Sequence, residues 1–388
     1  MALFTNEVIE KIKSEILSNM THFDSKSVEK AIRTAVDRRQ DFNSEEKILL
    51  EENLTNSILK YDIIQPLLNQ ENISEIMING LDSIFIEENG QIKQTEIQFS
   101  SQNHLDQLIQ KIATEVGREV NINTPIMDAR LKDGSRVNVI LNPIALNGPI
   151  ITIRKFNQLF NEPHELIHIG MFPDFVGSFL QKCIESKYNL FICGGTGSGK
   201  TTLLNCLTSY ISENERIVII EDASEIKTPH ISNSISLETR THANITTPIT
   251  MSTLIKNALR MRPDRIIVGE VRGSEVIDML QAMNTGHDGS ISTGHSNSAY
   301  DMLTRLEVIA STHSDVNHLL LRRQIISAID LLVFVSRTSN GARQISEICE
   351  LKKHKDDYDL NTLYKSGDTN TRLTDRLIHK EKLIQHEI

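Results

Sequence analysis

Residues 1–65 have the hydrophobic spacing of helices. Apolar residues recur every three or four positions there, in the sets Val8, Ile9, Ile12, Ile16 and Val28, Ile32, Val36. This period matches the turn of an α-helix, which places such positions on one face. The pattern therefore predicts a helical amino-terminal segment over residues 1–65.

Between residues 66 and 155 the pattern changes to short strand-like runs. Asn-Gly pairs separate the first runs, at Asn79-Gly80 and Asn89-Gly90, and such pairs favour tight hairpin turns. A stretch with helical spacing from Leu105 to Ile112 interrupts the runs, and two more follow before residue 155. Strands and one helix in this order predict an α+β domain.

Strand-like and helical stretches alternate from residue 176 to residue 355. Five apolar runs of strand length lie near residues 188–193, 216–221, 265–270, 290–294 and 331–335. Such alternation predicts an α/β domain in which helices cover both faces of a mostly parallel sheet. Residues 156–175 contain Pro163, Gly170 and Pro173 and are interpreted as an interdomain linker. Residues 356–388 are predicted to form a small hairpin and a carboxy-terminal tail.

Composition and charge exclude several classes of protein. The 388 residues suffice for two or three domains of about 150 residues. A net charge of −10 argues against general nucleic-acid binding, because a sequence-independent grip on phosphates needs a basic surface. The four cysteines lack CxxC spacing, which argues against a zinc ribbon or disulfide framework. Free thiols and the lack of any apolar run of about 18 residues predict a cytoplasmic protein without a membrane span.

A phosphate-binding motif opens the predicted α/β domain. It fits G-x-x-x-x-G-K-[ST] and reads Gly194, Gly195, Thr196, Gly197, Ser198, Gly199, Lys200, Thr201. An apolar run precedes the motif and a helical stretch follows it, as the motif requires. Its glycines allow backbone N–H groups to surround phosphate oxygens at a helix amino terminus. Lys200 is predicted to reach the β- and γ-phosphates, and the Thr201 hydroxyl to ligate Mg²⁺.

Three further polar positions end predicted strands of the same domain. Glu270 follows the run from Arg265, where a carboxylate can organise the Mg²⁺ shell. Glu221 or Asp222 ends another run, and a carboxylate there can accept a proton from an attacking water. His295 ends a third run and can sense the γ-phosphate or bond to a catalytic carboxylate. A structural role, such as a helix cap or a buried histidine, is the alternative for each.

Arginines form a fourth group that is divided between the two predicted domains. They are Arg118, Arg130, Arg136 and Arg154 in the α+β domain and Arg240, Arg260, Arg262 and Arg272 in the α/β domain. Solvated surface arginines are the alternative for all eight. However, a P-loop enzyme can use an arginine from another domain or subunit to stabilise charge in the transition state.

The order of these motifs resembles that of the type II/IV secretion ATPases, most closely their Tad pilus (CpaF-like) branch. The resemblance rests on GGTGSGKTT, IIEDASEI, LETR, RMRPDRIIVGEVRG and AMNTGHDGSISTGHSNS, and before them on SEIMINGLDSIFIE, VGREVN, DARLKDGSRVN and GPIITIRKF. It implies an ATP-driven homohexamer whose subunits pair a PAS-like α+β domain with a RecA-like motor domain. It also implies inner-membrane platform proteins as partners at the cytoplasmic face of the membrane.

The same resemblance implies roles for individual residues. Residues Gly194 to Thr202 would bind ATP, and Thr201 and Glu270 would hold Mg²⁺. Glu221 matches the glutamate that activates water, and His295 closes the histidine motif. Arg136 and Arg154 match first-domain arginines that reach the phosphates, whereas Arg118 and Arg130 match less well.

The sequence departs from that branch in three places. Gly294 stands where a β-branched residue is usual, and we expect it to loosen the strand but to leave His295 in place. Asn121 and Asn123 lie in a stretch that is commonly acidic, which removes the basis for a charged role there. The first 65 residues match least, so the resemblance implies no role for them.

Other functions share part of this pattern. A conjugation- or competence-type motor has the same motifs. A nucleotide-sensing scaffold with little turnover would be favoured by loss of Glu221 or Glu270, and both are present. A RecA-type DNA motor would need a basic channel or stacking aromatic residues, yet the chain has no tryptophan and only 5% aromatic residues. An ABC ATPase is disfavoured because no LSGGQ-like signature follows the P-loop.

Overall fold

The computed structural model describes residues 6–20, 22–155, 160, 162–240, 247–313, 317–354, 357–369 and 372–386. The chain divides into two compact units, Met1–Asn157 and Gln158–Ile388. Part of the predicted linker, residues 156–159 and 161, lies outside the described residues. Among the described residues, no helix combines the length and hydropathy that crossing a membrane would require.

Three helices form the amino-terminal segment, as predicted. They are α1 (Asn6–Ser18), α2 (Ser25–Asp37) and α3 (Ser44–Leu59). Asp24 caps α2 by accepting from Ser27 N at 3.1 Å, and Asn43 and Glu46 form a capping box at the start of α3. The apolar positions with helical spacing form a shared core of Ile12, Ile16, Val28, Ile32, Val36, Leu50 and Leu54.

A six-stranded antiparallel sheet completes the first unit. Its strands are β1 (Ile73–Asn79), β2 (Ile84–Glu88), β3 (Gln91–Gln94), β4 (Ile126–Arg130), β5 (Arg136–Ile140) and β6 (Ile150–Arg154), in the order β3-β2-β1-β6-β5-β4. The turn between β2 and β3 is the predicted Asn-Gly pair: Asn89 and Gly90 both have positive φ, at 50° and 79°. The short helix α4 (Gln65–Asn69) precedes the sheet. The helix α5 (Gln102–Glu115) contributes its predicted apolar face to the core of this α+β unit.

The second unit is built on an eight-stranded sheet. Its strands are β7 (Leu190–Gly194), β8 (Ile217–Glu221), β9 (Ser234–Glu238), β10 (Arg265–Val268), β11 (Ile291–His295), β12 (Leu331–Arg337), β13 (Arg343–His354) and β14 (Asp357–Lys365), in the order β14-β13-β12-β7-β11-β10-β8-β9. The strands from β9 across to β12 are parallel, and β13 and β14 are antiparallel additions. The predicted mostly parallel sheet is therefore confirmed.

Helices cover both faces of this sheet. They are α6 (Pro163–His168), α7 (Asp174–Glu185), α8 (Lys200–Leu207), α9 (Met251–Ala258), α10 (Glu275–Met283), α11 (Ala299–His313), α12 (His318–Ala328), α13 (Leu373–Arg376) and α14 (Glu381–His386). One apolar core lies under α7 and α8 and a second under α9 to α12. Alternate side chains of β7 pack in the two cores. Leu190 and Ile192 lie in the core under α7 and α8, and Phe191 and Cys193 lie in the core under α9 to α12.

Parts of the predicted linker and of the carboxy-terminal segment pack in a core of the second unit. Within the predicted linker, Pro163 is the first residue of the helix α6. Leu166, Met171 and Phe172 are buried in a core of the second unit. Near the carboxy terminus the predicted hairpin is confirmed by the antiparallel pairing of β14 with β13, and Leu363 of β14 is buried in the same core. Both segments bury apolar side chains in that core, which stabilises them as parts of the second unit.

Candidate active site

The phosphate-binding motif lies between a buried strand and a helix. β7 ends at Gly194, residues 195–199 form the loop, and α8 begins at Lys200. Gly197 and Gly199 have φ of 66° and 96°, a region that residues with a side chain rarely adopt. Helix amino termini leave their first N–H groups without partners inside the helix and carry positive potential, so the start of α8 suits phosphate oxygens.

Lys200 contacts both the phosphate-binding loop and the neighbouring strand β11. Its side chain is buried, and Nζ donates to the carbonyl oxygen of Gly195 at 2.8 Å. Nζ also lies 3.2 Å from Nδ1 of His295 on β11. β11 is the parallel neighbour of β7, with His295 opposite Gly194, so the sheet register itself brings the predicted lysine and histidine together.

A continuous chain of polar side chains extends from Lys200 along the carboxyl ends of the strands. His295 Nε2 lies 2.8 Å from Glu270 Oε1, and Arg272 Nη2 donates to Glu270 Oε2 at 2.6 Å. An ammonium has no lone pair, so His295 Nδ1 accepts from Lys200 and its ring proton belongs on Nε2, beside Glu270. Glu270 thus stands at the sheet edge where the sequence predicted it.

The surroundings favour the deprotonated form of both this glutamate and this histidine. Burial acts to raise the pKa of Glu270, but the hydrogen bond from Arg272 and the charges of Arg272, His295 and Lys200 bring it below its ordinary value of 4.5. Burial lowers the pKa of His295 below 6.5, and Lys200 and Arg272 act in the same direction against the pull of Glu270. At neutral pH the site therefore holds a carboxylate beside a neutral imidazole.

Glu221 ends β8 and is buried next to Glu270's strand. Its Oε1 accepts from the backbone N–H groups of Glu225 and Ile226 at 3.0 and 3.2 Å. Burial raises the pKa of the Glu221 carboxyl to about 7, although these hydrogen bonds act to lower it. A carboxylate that titrates near neutral pH is suited to take a proton from water. The sequence alternative, Asp222, is exposed and accepts from the Thr239 hydroxyl at 3.0 Å.

Packing accounts for both glycines that depart from the usual motifs. A Cβ on Gly269 would lie 2.8 Å from Cγ of Glu221, which leaves no room for the ordinary aspartate before Glu270. A Cβ on Gly294 would lie 3.0 Å from Met302 Sδ and from Phe191 Cε1. The expectation that Gly294 loosens its strand is wrong, because β11 pairs with β7 over its whole length and these neighbours fill the space.

The residues present fit a magnesium–nucleotide complex. Ser198 Oγ is buried without a hydrogen-bond partner in the described structure, and a buried hydroxyl of this kind is suited to a ligand. Glu270 has an ionised carboxylate at the same edge of the sheet. Thr201 occupies the second position of α8. Carboxylate and hydroxyl oxygens are ligands that Mg²⁺ prefers, together with substrate phosphates. The described residues contain no cluster of three or more acidic, histidine or cysteine side chains that could hold a metal ion.

Three predicted arginines lie side by side in the first unit. Arg130 on β4 is opposite Arg136 on β5, and Arg136 is opposite Arg154 on β6. Residues directly opposite each other in an antiparallel pair share a face, so the three side chains form one row. Arg118 lies apart from this row, in the turn after α5, where its N–H donates to Ala113 O.

Two functional candidates escaped the sequence analysis. Arg337, at the end of β12, donates from Nε to the carbonyl oxygen of Gly197 at 2.9 Å. Arg343, its partner on β13, packs beside Gly199. Arg272 was noted only as one of several arginines near the sheet edge, without its bond to Glu270. The sequence signal for Arg337 and Arg343 was a pair of arginines that flank a short turn.

Comparison with known proteins places the chain in a family. Residues 59–371 match the family model described as type II/IV secretion system protein, and the chain belongs to that family. It is 32% identical over 295 residues to the conjugal transfer protein TrbB of Rhizobium radiobacter, a match that covers 75% of this chain and 87% of TrbB. It is also 32% identical over 312 residues to the type IV secretion system protein PtlH of Bordetella pertussis, covering 72% and 91%.

Solved structures confirm the predicted fold class. The pilus retraction motor PilT, solved with bound ADP, has a TM-score of 0.54 and 22% identity to this chain, covering 83% of the chain and 86% of PilT. At that identity the likeness bears on the fold alone. The second unit is thus an α/β domain with a mostly parallel sheet, and an α+β domain and a helical segment precede it in the chain.

Proposed function

We propose that the protein is an ATPase that drives a secretion or pilus machine, with ATP and Mg²⁺ as its substrate complex. The observation that carries the proposal is the row of side chains from Lys200 through His295 to Glu270, at the edge of the sheet that also presents Glu221. A cation for the phosphates, an ionised metal ligand and a carboxylate of raised pKa are the parts that phosphoryl transfer to water requires.

Each residue has a separate task in this proposal. The loop amides and Lys200 would bind the β- and γ-phosphates, while Thr201 and Glu270 would hold Mg²⁺. Glu221 accepts the proton of the attacking water, which its pKa of about 7 allows. Neutral His295 connects Lys200 to Glu270 and so links phosphate binding to the metal ligand. Mg²⁺ supplies charge neutralisation at the phosphates when it is bound.

The row of first-unit arginines gives this function a second source of positive charge. Arg130, Arg136 and Arg154 lie in one row, with Glu75 of β1 opposite Arg154, and guanidinium groups are suited to bind phosphate oxygens. We propose that Arg136 and Arg154 act on the nucleotide during turnover. The proposed assembly is a homohexamer, and the proposed partners are inner-membrane platform proteins at the cytoplasmic face.

Within the family, the motif order favours the Tad pilus (CpaF-like) branch. A conjugation-type motor is the second candidate, because TrbB, one of the two relatives described above, bears the name of a conjugal transfer protein. A low-turnover scaffold is less favoured, since Glu221 is buried and Glu270 is half-buried at the sheet edge. No specific nucleic-acid partner is proposed, given the net charge of −10.

The test of this proposal measures ATP hydrolysis by the purified full chain as a function of its oligomeric state. Steady-state phosphate release across fractions separated by size is expected to follow the hexamer and to require Mg²⁺. If every fraction binds ATP but none releases phosphate above background, the result would favour the low-turnover scaffold. Deletion of the gene, scored separately for pilus filaments and for plasmid transfer, distinguishes the two motor types.

A further inference from the structure

A β-hairpin that is distant in sequence touches the phosphate-binding loop. The hairpin joins β12 to β13. Arg337, the last residue of β12, and Arg343, the first residue of β13, are directly opposite each other. β12 runs parallel to β7, with Val335 opposite Gly194. The turn of the hairpin therefore lies beside the phosphate-binding loop, which follows β7 in the chain.

Both arginines occupy space that loop glycines leave open. Arg337 Nε donates to Gly197 O at 2.9 Å, and a Cβ on Gly197 would lie 2.8 Å from Arg337 Nη2. At the next glycine, a Cβ on Gly199 would lie 3.2 Å from Arg343 Cδ. Gly197 and Gly199 thus each lack a side chain at the place where an arginine of the hairpin packs. The two contacts involve different arginines and are independent observations.

The hairpin is a firm support for such a contact. Thr338 N donates to Ala342 O at 2.8 Å, and the hydroxyls of Ser336 and Ser346 lie 2.6 Å apart across the two strands. The loop itself has the opposite character, because glycine loses more conformational freedom on ordering than any other residue. A hydrogen bond from a charged donor to a loop carbonyl restrains the chain that must present its amides to phosphate.

We propose that Arg337 is a positioning residue of the nucleotide site. Through Gly197 it holds the phosphate-binding loop in the conformation that receives the β-phosphate, so it acts on ATP and ADP alike. This inference rests on the proposed ATPase function and adds to it a residue more than a hundred positions beyond the loop motif. Because Arg337 acts before the chemical step, its loss raises KM and leaves kcat at saturating ATP nearly unchanged.

The test compares Arg337→Gln with the wild-type full chain in titrations with fluorescent MgATP and MgADP. We expect both affinities to fall about ten-fold, equivalent to about 1.4 kcal/mol, with kcat within about two-fold. The control Arg33→Gln makes the same chemical change at an exposed arginine of α2 and is expected to bind like the wild type. Unchanged affinity in Arg337→Gln overturns the proposal, and so does a loss confined to ATP, which would indicate contact with the γ-phosphate.

Hydrogen exchange of the nucleotide-free full chain separates positioning from folding. Arg337→Gln is expected to speed exchange at residues 195–199 and to leave exchange in β7 unchanged. Faster exchange throughout the second unit would mean that Arg337 supports the fold, and would overturn the proposal. If the wild type binds neither nucleotide, the proposed function fails and this inference fails with it. If the wild type hydrolyses ATP and Arg337→Gln matches it in every measurement, only this inference fails.

Discussion

The side chain of Glu221 lies against Gly269 on the neighbouring strand. The two positions meet because β8 and β10 are parallel and in register, with Ile220 opposite Val268 just before them. A Cβ on Gly269 would come within 2.8 Å of Glu221 Cγ, and the Gly269 N–H donates to Ile220 O at 2.8 Å. The missing side chain at residue 269 is therefore what allows the proposed base to lie beside the metal-binding strand.

Substitution of Gly269 tests this packing directly. Gly269→Ala is expected to displace Glu221, to lower kcat by at least about ten-fold, and to destabilise the second unit by about 1–3 kcal/mol, as overpacking does. The matched control is Gly273→Ala, whose Cβ would meet only the carboxylate end of Glu275, at 3.1 Å. Thermal unfolding and steady-state hydrolysis are measured for both. Wild-type turnover in Gly269→Ala would show that the position of Glu221 is not critical.

Removing the charge of Glu221 separates binding from chemistry. Glu221→Gln keeps the size of the side chain and is expected to bind MgATP normally while hydrolysis falls about 10²–10⁴-fold, the usual contribution of a general base. Single-turnover hydrolysis and nucleotide titration measure the two effects. An unchanged kcat would transfer the role of base to Glu270, and loss of MgATP binding would make Glu221 part of the metal shell.

The raised pKa of Glu221 predicts a pH dependence of activity. The carboxyl has a pKa of about 7 in the folded chain, and a base must be deprotonated, so kcat is expected to decline as pH falls through 7. The measurement is the kcat profile of the wild type from about pH 5.5 to about pH 8.5. A flat profile would contradict the assignment, provided that phosphate release is fast at every pH.

The same group affects stability with the opposite sign from an ordinary ion-paired carboxylate. Its pKa is raised from 4.5 to about 7, so between these values the folded state binds more protons than the unfolded state. Stability therefore falls as pH rises through this window, and Glu221→Gln removes that contribution. Denaturant unfolding of the wild type and of Glu221→Gln at the two ends of the window measures the difference between their free energies of unfolding. This difference should shrink to zero below the lower pKa.

The arginine row of the first unit is expected to act in turnover rather than in folding. Arg136→Ala and Arg154→Ala should depress kcat, by up to about 10³-fold if each stabilises transition-state charge, without lowering the melting temperature of the second unit. A shortened chain that begins at Gln158, the first residue of the second unit, should bind ATP weakly and hydrolyse almost none. Single-turnover hydrolysis by that chain at high concentration is the check. Full activity would make the first unit an adaptor for partners.

Local patterns predicted the elements, and one motif predicted most of the site. Helical spacing identified the core of α1 and α2, and the pair Asn89-Gly90 identified a hairpin that the structure confirms. The motif predicted a strand, a loop and a helix in that order around Lys200, and the structure confirms this arrangement because it depends on residues adjacent in sequence.

Contacts between distant segments could not be predicted in the same way. Arg337 meets Gly197 only because β12 is inserted beside β7 in the sheet, and no local pattern encodes that strand order. The burial of Leu166 and Leu363 likewise depends on which segments cover the sheet. Prolines and charged residues in those segments suggested a linker and a tail, but a few apolar side chains that pack in the core outweighed that composition.

Hydrolysis of MgATP by the purified full chain, compared with Lys200→Ala, tests the central claim most directly. Lys200 Nζ reaches both the loop carbonyl of Gly195 and His295, so its removal takes away the fixed cation of the site without opening an apolar core. The account predicts steady Mg²⁺-dependent phosphate release by the wild type and none above background by a folded Lys200→Ala protein. Equal phosphate release by the two proteins would contradict the assignment of this loop as the ATP site.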